Sequence, residues 1–158
     1  MADQHLTSEK NGLRIGLLTA LALIAYTGVA ALAGFLGKVE AGTLDIVLLA
    51  GGVVFAIRRL KQARGDRMTY FSGFSTGIIT ALVASAMLGA FFWLLGGTSQ
   101  SAVSQIKARD LFGSDLGVLI GGLGIILLGT MTGVITSLVA MQYFKSAEHQ
   151  EMPEMENV

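Results

Sequence analysis

Long uncharged apolar runs, rather than alternating apolar and polar positions, dominate this chain. Ile15 to Gly37 carries no charge between Arg14 and Lys38, Met68 to Leu95 runs on uncharged through Gly96 and Gly97, and Leu116 to Phe144 is uncharged up to Lys145. A helix needs about 20 mostly apolar residues to cross a bilayer, and each run is long enough. A fourth, Ile46 to Ile57, is too short alone. Extended to Thr43–Leu60, it places Asp45 at one interface and lets Arg58 and Arg59 reach back to the other; a buried helix of a soluble protein is the rival for that segment. The pattern predicts an all-α fold: a four-helix transmembrane bundle with spans at 15–37, 43–60, 70–96 and 115–144, in a single domain over 1–145. The tail 146–158, with four glutamates and Pro153, reads as disordered.

Small residues repeat along these runs. Gly12 to Gly34 aligns with Gly73 to Leu95, matching Gly12 with Gly73, Gly16 with Gly77, Thr19-Ala20-Leu21 with Thr80-Ala81-Leu82, and Gly28 with Gly89. Asp45 to Gly52 (DIVLLAGG) lies over Asp115 to Gly122 (DLGVLIGG) in a shifted register. This predicts a parallel two-plus-two internal repeat with its axis along the membrane normal. On the fourth span Gly117, Gly121, Gly129 and Gly133 form one i, i+4 ridge; Gly12/Gly16 and Gly73/Gly77 begin the first and third spans in the same way. Such ridges let helix backbones approach closely in lipid, where no hydrophobic drive joins helices. They serve packing within the chain, or a homo-oligomer or larger complex.

Composition agrees with a bilayer: 53% of 158 residues are hydrophobic and 14% charged, against about 25% charged in a soluble domain. There are 21 glycines, and Pro153 is the sole proline. With no cysteine, disulfides and thiolate chemistry are excluded.

The formal net charge is zero, yet Arg58, Arg59, Lys61, Arg64 and Arg67 crowd one connector. In a four-span chain this connector shares a side with both termini, so that side holds eight basic residues (with Lys10, Arg14 and Lys145) against Lys38, Lys107 and Arg109 opposite. Such asymmetry keeps loops in the cytoplasm, so the termini are expected there. Contact with anionic lipid adds roughly 1 kcal/mol per basic group. The connector lacks the interleaved aromatics or recognition helix of a nucleic-acid binder. Tyr70, Phe71, Tyr143 and Phe144 mark the inner interface, and Phe35, Trp93 and Phe112 the outer one. A cleaved signal peptide ending near Ala30–Ala33 is the rival for the first span, but its apolar run is too long and Asp3 and Glu9 precede it. Between the last two spans, Val103, Ile106, Leu111 and Phe112 recur at near-helical spacing, so 97–115 is either a short amphipathic helix or a loop.

Chemistry is sparse. The central thirds of the spans hold no ionisable residue of the kind that announces ion-coupled transport. His5 and His149 form no metal pair, and no phosphate loop, nucleophile elbow or HExxH occurs, so no catalytic, cofactor or metal residue is assigned. Ser72, Ser75, Thr76, Thr80 and Ser85 could line a polar path, though membrane hydroxyls commonly bond backbone instead. Asp45 and Asp115 each open a span, which fits helix capping; if the repeat brings them together, they form an outer-face polar pair for a cation or proton. A small multidrug transporter would carry a glutamate in its first helix, and Ile15 to Gly37 has no acid.

The segment FAIRRLKQARGDRMTYFSGFSTGIITALVAS, residues 55–85, resembles the domain of unknown function 4199 family of small bacterial membrane proteins, through its basic connector, its aromatic-Ser-Gly-Phe turn (Tyr70 to Phe74) and its glycine-containing third span. The resemblance implies a four-span inner-membrane protein and no particular activity. The expected function is that of a non-enzymatic accessory or assembly subunit in contact with the lipid bilayer; a small-solute or ion transporter is the alternative.

Overall fold

The computed structural model describes residues 7–34, 39–65, 68–98 and 114–146. They form four α-helices, α1 (Ser8–Leu32), α2 (Val39–Arg64), α3 (Tyr70–Thr98) and α4 (Ser114–Ser146), with no strand among the described residues. The amphipathic segment expected within 99–113, the acidic tail from 147 and Arg67 lie outside the described residues.

Local chemistry sets the helix ends. Thr7 caps α1, its Oγ1 accepting from the Lys10 amide at 3.3 Å, and Glu9 sits in the first turn against the positive end of the dipole. At the other end Gly34 takes φ +77°, which L side chains rarely adopt, so α1 stops at Leu32 although the apolar run continues to Gly37. Gly65, at φ +53°, ends α2 in the same way. The basic stretch is therefore helical as far as Arg64, with Lys61 and Arg64 in the last turn, where cations meet the negative end of the dipole.

α3 and α4 run antiparallel in close contact. Gly77 lies against Ser137, Gly133 against Ala81, Gly129 against Ser85, and Gly89 against Ile126. Each step of four along α3 is thus a step of about four back along α4. α1 meets α3 through Gly12 and Gly16: a Cβ at Gly12 would come within 3.0 Å of Ile79 and the Thr76 carbonyl, and one at Gly16 within 3.0 Å of the Thr80 carbonyl and Val83. α2 lies antiparallel beside α1, with Gly52 against Thr19 and the Ala56 carbonyl accepting from Asn11 Nδ2 at 2.8 Å. It also reaches α3 and α4, through Ile57 beside Gly77 and Leu49 beside Gly129. The shared core includes Leu23, Leu49, Val53, Ile57, Ala81 and Met141.

Among the described residues, three helices are long and apolar enough to cross a membrane, over Ser8–Leu32, Tyr70–Gly97 and Gly117–Tyr143, with mean hydropathies of 2.1, 2.2 and 2.2. α2 is less apolar than these, with Glu40, Asp45, Arg58, Arg59, Lys61 and Arg64 in its 26 residues. The packing does not repeat. A two-fold relating α1–α2 to α3–α4 would pack α1 on α4 as α2 packs on α3, yet α1 and α4 barely meet. The aligned register also fails: Gly52 sits against Thr19 of α1, whereas Gly122, its counterpart in the alignment, lies under the Trp93 indole of α3.

Polar side chains lie in the interior while large apolar ones lie on the surface. Asn11, Thr76, Thr80, Ser85 and Ser137 are fully buried, while Val29, Leu32, Leu127, Leu128 and Ile135 are exposed. In water this distribution would be costly. In lipid it is favoured, because polar side chains find partners only inside and apolar ones lose nothing outside.

Candidate functional site

Most buried hydroxyls are spent on backbone. Thr19, Thr76, Thr80, Thr130 and Ser137 each donate to the carbonyl four residues earlier, at 2.6 to 2.9 Å. Thr76 and Thr80 also lie 3.2 and 3.3 Å from the Ser8 and Gly12 carbonyls of α1. Ser72 and Ser75 turn to carbonyls three residues back, at 2.8 and 3.2 Å. The serine and threonine row of α3 therefore ties helices together and leaves no hydroxyl-lined path along α3 among the described residues.

One place differs. A cavity of about 480 Å³ opens where α1, α2, α3 and α4 converge, toward the first turns of α2. Its floor is Leu49, Ser85 and Gly129: Leu49 Cδ2 lies 3.5 Å from where a Gly129 Cβ would be, and Ser85 Oγ is 3.4 Å from Thr130 Oγ1. Its walls are apolar and aromatic, with Leu23, Tyr26, Leu88, Phe92 and Leu128. Into it come Thr27 and Asp45. Among the described residues, Thr27 Oγ1 and Asp45 Oδ1 are buried without a hydrogen-bond partner.

The position of Asp45 corrects the capping explanation drawn from the sequence. Because α2 begins at Val39, Asp45 sits in the second turn of the helix, where the amides already have intrahelical partners, and it caps nothing. Asp115, the other member of the expected outer-face pair, belongs to the first turn of α4. The side chain of Asp115 lies outside the described residues. Asp45 was visible in the sequence as an isolated acid beside an apolar run; Thr27, which lines the same cavity, was not, since nothing in the sequence separates it from threonines that bond their own backbone.

Three of the four glycines of the α4 ridge face α3. Gly121 meets Phe92, Gly129 meets Ser85 and Gly133 meets Ala81, while Gly117 lies in the first turn of α4. The other half of this seam, the small row Gly77, Ala81, Ser85 and Gly89, escaped the glycine-only pattern; including alanine and serine at i, i+4 spacing would have found it. Arg58, Arg59, Lys61 and Arg64 occupy the end of α2 away from the cavity. No group of three His, Cys, Asp or Glu side chains able to hold a metal occurs among the described residues.

Fold and surface together define an all-α protein whose three apolar helices are compatible with an integral membrane protein. Compared with known protein families, characterised proteins and solved structures, the chain matches none.

Proposed function

We propose that the chain is a four-span integral protein of the bacterial inner membrane that acts without catalysis, as an accessory or assembly subunit, with both termini and the basic end of α2 in the cytoplasm. The placement of α2 carries this reading. Although it is the least apolar helix, it runs beside α1 from Ala56 at the level of Asn11 to the cavity that Asp45 shares with Thr27, which is most of the length of α1. A segment so aligned crosses wherever α1 crosses. It supplies the second of four passes, and the even number puts the termini on one side. The middle third of every helix lacks ionisable residues, which supports a non-enzymatic role. The α4 glycines being used against α3, a partner subunit would meet the exposed apolar face that includes Leu127, Met131 and Ile135. The basic end of α2 would rest against anionic headgroups. The cavity favours a second reading, handling of a small solute.

Single cysteines at Gln62 and Ser104 test the topology with a membrane-impermeant maleimide on intact cells. Labelling at Ser104 with protection at Gln62 is expected; the reverse, or equal labelling, overturns the four-span orientation. Neutralising Arg58, Arg59, Lys61, Arg64 and Arg67 together should produce mixed orientation.

A further inference from the structure

We propose that the cavity at the Asp45 end of the helices binds a small organic cation, an ammonium-type centre on an apolar or aromatic body, with Asp45 as its counter-ion. The site would serve either an accessory subunit or a transporter.

Four observations define the ligand. First, the cavity, at about 480 Å³, lies within the range of about 300 to 1,000 Å³ of small-molecule sites, and it has their composition: mostly apolar walls with a few convergent polar groups. Second, two of those polar groups are unsatisfied. Thr27 is more than nine-tenths buried, and it forgoes the bond to the carbonyl four residues back that Thr19, Thr76, Thr80 and Thr130 all make. Asp45 Oδ1 is likewise buried and unpartnered. Buried polar atoms are rarely left so, because each forfeits its hydration without replacement. A ligand that donates hydrogen bonds or brings positive charge meets that need.

Third, among the described residues the lining has a carboxylate and no lysine, arginine or histidine. An anionic headgroup would be repelled, and a plain acyl chain would leave both polar atoms unmet. Fourth, the walls do not suit a metal ion. Calcium takes six to eight oxygens at about 2.3 to 2.6 Å, whereas Leu23, Leu49, Leu88, Phe92, Ile125 and Leu128 fill most of this wall. Aromatic rings at Tyr26 and Phe92 beside a carboxylate are the surroundings an organic cation prefers, since ring faces and charge attract it together.

The test uses purified full-length protein in lipid nanodiscs, with empty nanodiscs subtracted for partitioning. Tetraphenylphosphonium and the smaller benzylammonium, whose N–H groups donate hydrogen bonds, are the probes, and tetraphenylborate, close in shape to the first but of opposite charge, is the control. Saturable binding of at least one cation, one per chain, is expected, with none for the borate. Asp45→Asn keeps the shape and removes the charge; it should weaken binding by about tenfold or more, while Asp45→Glu retains measurable binding. Thr27→Val should weaken an ammonium donor and leave tetraphenylphosphonium, which donates no hydrogen bond, unaffected. Size-exclusion profiles matching the unmodified protein show that the variants fold. Binding of neither cation, equal binding of the borate, or full affinity in a folded Asp45→Asn protein would overturn the proposal.

Discussion

Replacing Gly133 with alanine probes the α3–α4 seam at its least forgiving point. A methyl built at Gly133 falls on the methyl of Ala81, with the Ala81 Cα 3.5 Å and the Gly77 carbonyl 3.8 Å away. Carbon atoms settle at about 3.5 to 4.0 Å, so one of the two groups must move. Neither has a rotamer to change. The strain therefore passes to the backbones, and parting them also loosens Gly77 against Ser137 and Gly129 against Ser85, one turn away on either side. Overpacking costs about 1 to 3 kcal/mol, and rigid partners place this site near about 3. Alanine's better helix propensity returns about 1 kcal/mol. The net loss is about 2 kcal/mol, or about 30-fold in the folded-to-unfolded ratio.

Two companions isolate the cause. Gly124, on the same helix, has nothing within 4 Å of its would-be Cβ, so Gly124→Ala should be neutral or up to about 1 kcal/mol stabilising. Adding Ala81→Gly to Gly133→Ala exchanges the two residues across the seam. Helix propensities then cancel, and stability should return to within about 0.5 kcal/mol of the parent. The measurement is reversible unfolding in mixed dodecylmaltoside and SDS micelles, followed by far-ultraviolet circular dichroism. Equal stability for the two glycine replacements, or no recovery in the double variant, would refute close packing of α3 on α4.

Two further outcomes test other contacts. Gly122→Ala should push the Trp93 indole off α4, since that ring covers Gly122 and its Nε1 donates to the Leu119 carbonyl at 3.4 Å; a changed emission maximum and altered iodide quenching of this single tryptophan are expected, and an unchanged spectrum would place the ring elsewhere. Asn11→Ala removes the 2.8 Å bond to Ala56 and should cost about 1 kcal/mol in the same unfolding assay, whereas Asn11→Asp should cost more, because an ionised carboxylate cannot donate to a carbonyl. Equal stability of all three proteins would mean that this bond does not hold α1 to α2.

The all-α class and the three apolar helices were legible because twenty or more uncharged residues in lipid leave helix as the economical way to satisfy backbone. The exact ends were less so. Lys38 to Thr43 looked like a connection, with Gly42 beside two small polar or apolar residues, yet α2 starts at Val39 and turns Asp45 from a cap into a side chain within the helix. The repeat looked plausible because glycine, alanine and leucine agree by chance so easily. Which helix a small row faces depends on rotation and register, and periodicity along one chain does not contain them: Gly133 needs Ala81, and Ala81 is invisible as its partner until both helices are in place. The cavity is less legible still, since it needs four helices at one level.

α2 links these features. Its face of Leu49, Val53, Ala56, Ile57 and Leu60 is buried at i, i+4, i+7, i+8 and i+11, so tertiary packing offsets the apolar length it lacks. That freedom lets it carry charge at both ends without losing its place. At one end the cations meet the negative pole of the helix and, in the proposed orientation, the cytoplasmic headgroups. At the other, Asp45 enters a cavity whose other walls are too apolar to pair with it. An acid used only for solubility could sit at the exposed helix end at no cost. Held one turn inside, Asp45 keeps Oδ1 buried and without a partner among the described residues, an oxygen that the proposed cation would satisfy.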